Sequence, residues 1–304
     1  MNPLEDLRGI VTVLNTPFDT SGAIDLASLE RHVRYALKAG VHGFLVPAMA
    51  AEVTKLDLGE RREMLQTVLA VAAGTRPVVA GVYADDTNKR MELAREYAKL
   101  GAPALLVSVP YESDDSFVRA VRAVADTGAP LVMVQDWSPS GYGIPMAAIL
   151  AAFAEVPAFN SIKIEVAASG IKYSEVLERT GGRLHVAGGW AVGQMMEGLE
   201  RGVHAFMPTG LHEIYVAIYN RFVAGNTEEA RSLFYKLLPV LAFSNQHLDI
   251  SIHFFKRLLH RQGMYTTPAV RGPIAAFDKH HERQADLLID YAIELMEAVV
   301  AGRA

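Results

Sequence analysis

Short apolar runs alternate along the chain with longer segments whose apolar positions recur every three or four residues. The runs cover residues 9–14, 43–47, 77–82, 104–109, 130–135, 158–163, 183–187 and 205–208. Between them, 26–38, 59–72, 88–100, 116–126, 145–153, 168–179 and 192–200 carry helical periodicity, and an eighth helix is expected near 212–224. Strands joined by crossovers of helical length predict a parallel sheet. Several helices run into a glycine just before the next strand, as at Gly40 and Gly101, where the residue past a helix end turns left-handed without steric cost. Eight such units predict closure into a (β/α)8 TIM barrel rather than an open sheet. Beyond 225 the alternation stops. Residues 227–243, 246–262 and 283–301 read as three successive helices, with a loop rich in Gly, Pro and Thr at 263–273. The expected organisation is a barrel over 1–225 and a C-terminal three-helix extension over 226–304 packed on it.

Composition narrows the class. Of 304 residues, 51% are hydrophobic and 21% charged, enough for a large core and against global disorder. A net charge of −5 leaves no basic footprint for nucleic acid. The chain has no cysteine, so disulfides, thiolate nucleophiles and cysteine-ligated metals are excluded. Residues 1–6 do not read as a signal peptide, and no apolar stretch reaches membrane-spanning length, so a cytoplasmic protein is expected. The ten histidines lack a metal-ligand spacing, and His280-His281 in the tail reads as surface. No metal and no cofactor are expected.

Lys163 stands out against this background. It lies in Phe159-Asn160-Ser161-Ile162-Lys163-Ile164-Glu165, a β-type run in which an ammonium is out of place. Strand alternation puts Lys163 and Glu165 on one face and Ile162 and Ile164 on the other. A lysine inside a closed sheet loses hydration and shifts toward its neutral amine. That amine attacks a ketone to form a Schiff base, which acts as an electron sink. The competing reading is a lysine that snorkels to solvent or merely pairs with Glu165. Position favours chemistry, because barrel active sites lie where the strands end, and Lys163 is the sole lysine among those ends.

The order of Thr16-Pro17-Phe18 after strand one, Glu52 after strand two, Pro110-Tyr111 after strand four and Ile162-Lys163 on strand six resembles the dihydrodipicolinate synthase/N-acetylneuraminate lyase family. The resemblance covers nearly the whole chain. It implies a metal-free class I aldolase or dehydratase acting on 2-oxo acids, with Lys163 as the imine-forming residue, and a homotetramer.

This sequence departs from the family pattern in four places. Where relatives carry Gly-Thr-Thr-Gly-Glu, the chain has Ala48-Met49-Ala50-Ala51-Glu52, without the hydroxyls that hold the substrate carboxylate. Backbone N–H groups around Ala50 and Ala51 remain as expected carboxylate ligands. The family's relay tyrosine aligns with Val134, which moves no proton. Tyr111 matches the first tyrosine of a pair, but Glu112 stands at the second. No arginine occurs in 138–141 to grip the far end of an aldehyde substrate. Efficient dihydrodipicolinate synthesis is therefore not expected.

Glu165, Glu52, Gln135 and Asp136 remain for acid–base work. Val134-Gln135-Asp136 and Lys163-Ile164-Glu165 are similar to the branch that dehydrates 2-keto-3-deoxy sugar acids. Glu165 either moves a proton at C3 or C4 or holds Lys163 in an ion pair. Asp136 reads as a mouth residue or a solvated loop acid, and Glu52 as a site residue or a helix-start carboxylate. Gly189, Trp190 and Thr209 follow strands seven and eight and are expected to line the pocket. Without a nearby Lys or Arg, they do not make a phosphate site. The leading expectation is a Schiff-base dehydratase of hydroxylated 2-oxo acids. The runner-up is a retro-aldolase that releases pyruvate, and a third reading is a non-catalytic binding protein on the same barrel.

Overall fold

Eight parallel strands pair in chain order and the last closes on the first: β1 (Gly9–Val13), β2 (Gly43–Val46), β3 (Val78–Val82), β4 (Ala104–Val107), β5 (Val132–Ser138), β6 (Phe159–Val166), β7 (His185–Gly188) and β8 (Ala205–Phe206). This is the expected barrel, seen in a computed structural model that describes residues 7–303. Around it lie α1 (Leu26–Ala39), α2 (Leu58–Ala72), α3 (Thr87–Lys99), α4 (Asp114–Ala125), α5 (Met146–Glu155), α6 (Ser169–Thr180), α7 (Met195–Glu200) and α8 (His212–Val223). The extension is α9 (Thr227–Ser244), α10 (Leu248–Arg261) and α11 (Lys279–Val300).

Alternation along the strands produces two cores. Val11, Val13, Leu45, Val79, Leu106 and Met133 form one cluster that plugs the barrel interior. Ile10, Phe44, Val46, Val107, Val134 and Ile164 belong to the larger cluster beneath the helices. The interior is thus packed, and ligand access is confined to the mouth above it. Gly40 ends α1 with φ 89°, the left-handed turn that glycine adopts freely.

Two strands run longer than their hydrophobic pattern predicts. β5 and β6 each continue three residues past the expected ends at 135 and 163, with pairing from Gln135↔Lys163 through Ser138↔Val166. Lys163 therefore sits within its strand rather than at its end. The extra residues include Asp136, Ser138 and Glu165, polar positions that end each apolar run. They stay in the sheet because each carboxylate there, Asp136 and Glu165, finds partners on its own face.

The extension shares the outer core through Leu237, Val240, Phe254, Phe255 and Leu258. It is also tied to the barrel by a buried polar chain. The Tyr265 hydroxyl donates to the Asn15 carbonyl at 2.8 Å and lies 3.0 Å from His32 Nδ1. His32 Nδ1 must then be the donor to Tyr265, leaving Nε2 to accept from His212 Nε2–H at 3.0 Å. Burial holds both imidazoles neutral, His32 well below its ordinary value and His212 at about 3. His185 lies at about 3 and His204 at about 4, again chiefly through burial.

Acid should therefore destabilise the fold. Unfolded histidines take up protons near the ordinary 6.5, while these folded ones do so only far lower. Between the two values the unfolded chain binds more protons, so stability falls as pH falls. Each fully buried histidine contributes up to about 1.4 kcal/mol per pH unit. Urea midpoints measured at pH 7.5, 6 and 5 should drop steadily below 6.5. A midpoint that holds constant from pH 7 to 5 would contradict the neutral buried assignment.

Candidate active site

β6 carries Lys163 and Glu165 on the inward face, two residues apart, as period-2 alternation requires. Both are buried, and Lys163 Nζ lies 3.0 Å from Glu165 Oε1. Gln135, the β5 residue registered opposite Lys163, donates from Nε2 to Glu165 Oε2 at 2.6 Å. The Trp190 backbone N–H donates to Glu165 Oε1 at 2.7 Å. One carboxylate thus receives an ammonium, a carboxamide and a main-chain N–H. Three expected site residues, Lys163, Glu165 and Gln135, stand in direct contact or register.

Glycine makes this arrangement possible. A Cβ on Gly189 would lie 2.2 Å from Glu165 Oε1, so only a residue without a side chain allows the carboxylate against the β7 end. Trp190 then turns left-handed at φ 49°, uncommon for a bulky residue, and this aims its N–H at Glu165. Its indole lies 5.2 Å from that of Trp137, and both rings are over 40% exposed at the mouth. Thr209, two residues beyond the inward-facing Met207, is buried at the same end of the barrel.

Other expectations need correction. Val134 is fully buried in the outer core, so it does not occupy an inward relay position. The inward side chain beside Lys163 is Gln135. A one-residue shift along a strand changes the face, so the expected relay position belongs to Gln135 and not to Val134. The physical consequence for a tyrosine relay is unchanged, because a carboxamide does not ionise in this range.

Asp136 also faces outward. Its carboxylate pairs with Lys172 of α6 and accepts from the Ile144 N–H at 2.9 Å. Lys172 Nζ donates to the carbonyls of Tyr142 and Ile144, each at 2.7 Å. Burial raises the Asp136 carboxyl and lowers the Lys172 ammonium, with each partner opposing the other's shift. This pair fastens β5 to α6, and Asp136 also borders the cavity beside Gln135.

Glu52 is a second correction of the same kind. It turns at φ 56° between two short 3-10 turns, Met49–Ala51 and Val53–Lys55, that the hydrophobic pattern did not show. Its buried carboxylate pairs with Lys256 of α10, accepts from the Arg271 N–H at 2.9 Å and lies 3.5 Å from Lys55 Nζ. Lys256 Nζ also sits 4.1 Å from the centre of the Phe18 ring. Burial lowers Lys256 to about 8, against the pull of Glu52.

The loop around Ala50 and Ala51 is held the same way. Asn15 Nδ2 donates to the Ala50 carbonyl at 2.7 Å, and the Thr16 hydroxyl donates to the Ala51 carbonyl at 2.6 Å. Ala51 is fully buried and its N–H bonds Ala48 O at 2.9 Å, so its N–H is not offered to a ligand. Ala50 remains partly exposed and packs on the inner cluster.

A cavity of about 460 Å³ opens beside Gln135. Tyr83, Asp85, Arg90, Ser108 and Tyr111 line it as well. Tyr111 directs its hydroxyl to Asp114 at 2.9 Å, which raises its pKa. Arg90 and Ser108 were not anticipated. Arg90 lies in the first turn of α3, and nothing in local periodicity separates it from a solvated helix arginine. Lys172 and Lys256 were missed too, although Lys256 in Phe254-Phe255-Lys256 carried a legible signal as a cation on an apolar helix face. Among the described residues no three or more His, Asp or Glu side chains cluster as a metal site.

Comparison with known proteins agrees with this geometry. The model of the dihydrodipicolinate synthetase family matches residues 6–292. The 4-hydroxy-tetrahydrodipicolinate synthase of Pelobacter propionicus is 30% identical over 239 residues, covering 77% of this chain and 81% of its own length. That of Methanosphaerula palustris is 23% identical and covers 89% and 94%. Among solved structures, sialic acid aldolase from Ruminococcus gnavus superposes with a TM-score of 0.87 at 18% identity, covering 97% of this chain and 100% of its own. Dihydrodipicolinate synthase from Rhodopseudomonas palustris gives 0.85 at 20% identity, covering 96% and 99%.

Proposed function

Because this chain belongs to the dihydrodipicolinate synthetase family and is a class I lyase, we propose that it dehydrates a 2-keto-3-deoxy sugar acid through an imine on Lys163. The observation that carries the reading is the Lys163–Glu165 pair, with Gln135 rather than a tyrosine beside it. Lys163 passes a proton to Glu165 and attacks C2 of the 2-oxo acid, and Glu165 then hands that proton to the departing hydroxyl, so that water leaves and the carboxylate is free again as the C=N bond forms. The imine acidifies C3. Glu165 takes the C3 proton, the electron pair moves into the enamine, and the C4 hydroxyl departs as water with a proton returned by Glu165. Gln135 and the Trp190 N–H keep that carboxylate aimed during both transfers. Hydrolysis of the imine frees Lys163 and a product lighter by one water.

Retro-aldol cleavage asks for a different base, one that takes the proton of the C4 hydroxyl. No inward tyrosine supplies it at the β5 position beside Lys163. Aldol condensation is the second reading, favoured by the 30% identical synthase. Against it stand Ala48-Met49-Ala50-Ala51 and the lack of arginine in 138–141. We also carry a homotetramer in the cytoplasm as part of this reading, on the family resemblance.

Carbon count tests the reaction. Incubation with a panel of 2-keto-3-deoxy sugar acids should give an intact product 18 Da lighter, the mass of one water by the elimination described. Stoichiometric pyruvate plus an aldehyde overturns dehydration in favour of the aldolase. Robust condensation of pyruvate with aspartate semialdehyde, on the order of 10 per second, restores the synthase reading. Glu165→Gln should slow turnover on the order of a hundredfold or more. Full activity in that variant removes Glu165 from proton transfer.

A further inference from the structure

We propose that Trp137 is a positioning residue for proton transfer: its indole holds Trp190 in the turn from which the Trp190 N–H grips Glu165. The inference rests on the imine reading above and deepens it by naming what aims the base. Trp137 lies two residues beyond Gln135 on β5, so the two share the inward face, and it is registered opposite Glu165 of β6. The same indole meets that of Trp190, whose N–H donates to the Glu165 carboxylate at 2.7 Å. Trp137 therefore neighbours the base along the sheet and reaches it a second time through Trp190.

The turn at Trp190 needs support from outside itself. At φ 49° the Cβ of a bulky residue crowds the neighbouring carbonyl oxygen, a conformation such residues avoid. Within the segment, the Val192 N–H closes the turn on the Gly189 carbonyl at a long 3.2 Å. The Trp190 side chain is 41% exposed, so core packing does little to fix it. The Trp137 ring lies against it at 5.2 Å between centroids and 59° between planes. An aromatic pair of this kind attracts about as strongly as one left-handed residue costs.

This support matters most once the imine has formed. In the free site, Glu165 Oε1 lies 3.0 Å from Lys163 Nζ and accepts the Trp190 N–H, while Gln135 donates to Oε2. Bonding of Nζ to C2 takes away the free ammonium that held Oε1. The carboxylate is then aimed at C3 by Gln135 on one oxygen and the Trp190 N–H on the other. Proton transfer requires the base within hydrogen-bond reach of the proton it removes, so a Trp190 that leaves its turn slows this step. Trp137 also borders the cavity beside Gln135, which makes direct contact with substrate the competing role.

Pyruvate is the probe, because its imine has a C3 methyl group and nothing to eliminate. Glu165 takes a C3 proton, the electron pair moves into the enamine, and in heavy water a deuteron returns to C3 from the same carboxylate. Deuterium entering saturating pyruvate, read by NMR, reports this step. Borohydride reduction of the imine C=N to a secondary amine, after equilibration and against pyruvate concentration, reports the adduct on Lys163 by peptide mass. Trp137→Ala should slow exchange about tenfold, the size of a lost aromatic pair, while half-saturation of the adduct stays within about twofold. Trp137→Phe should recover most of the rate. In Trp190→Gly the left-handed turn needs no neighbour, so adding Trp137→Ala should slow exchange no further. Independent slowing in that double variant, or a half-saturation that rises while exchange at saturation holds, puts Trp137 on the substrate and overturns the inference. Parental exchange in Trp137→Ala, or loss of its adduct, overturns it as well, while the imine reading stands. If Glu165→Gln exchanges at the parental rate, or the parent itself leaves no adduct on Lys163, the imine reading fails and this inference falls with it.

Discussion

Lys163→Ala should abolish the borohydride-trapped adduct with pyruvate and cut turnover at least about a thousandfold, since a covalent nucleophile has no substitute in its own active site. The expectation rests on placement. Lys163 is buried on the inward face of β6, above an apolar plug and next to Glu165. Losing it leaves Glu165 with Gln135 and the Trp190 N–H, so the carboxylate keeps two hydrogen bonds and the barrel should fold. Circular dichroism and a thermal melt check the fold, and peptide mass after reduction checks the adduct. An adduct that persists on another lysine would move the nucleophile elsewhere and end this assignment.

The second large effect lies away from the chemistry. Lys256→Met should lower stability by about 3 kcal/mol, because removing one partner of a buried ion pair leaves the other charge uncompensated. Glu52 would retain Lys55 at 3.5 Å and the Arg271 N–H at 2.9 Å, which places the loss at the lower end of the usual range. The double substitution Glu52→Gln with Lys256→Met should recover part of it, since no buried charge then remains. Chemical denaturation of the parent and the two variants reads these differences directly. A Lys256→Met protein within about 0.5 kcal/mol of the parent, the usual size of a neutral surface change, would show that the pair is not a fastening. The same pair joins the loop of Ala50 to α10, and Tyr265 joins it again through Asn15. The extension thus braces the β2 end of the mouth.

The barrel was legible because strand and helix periods differ, and each apolar run had its own helix before the next. The central pair was legible for the same reason: residues two apart on a strand share a face, so Lys163 and Glu165 had to point together. Local periodicity failed where it depended on a single position. Whether Val134 or Gln135 faces Lys163 turns on one residue of register, and only β5–β6 pairing decides it.

Charge was the other limit. Asp136 and Glu52 look alike in sequence to Glu165, each an acid near a strand end. Their partners Lys172 and Lys256 arrive from α6 and α10, the latter 204 residues away, and engage both carboxylates in buried ion pairs. Arg90 shows the converse, since it reads as an ordinary helix arginine until the fold places it at the cavity beside Gln135. The sequence by itself determined the alternating faces, the closed barrel and the lysine with its neighbouring glutamate, because these follow from spacing along one segment. Tertiary structure alone decided which lysine each buried acid pairs with, because electrostatic partnership depends on distance in space between segments that no local pattern connects.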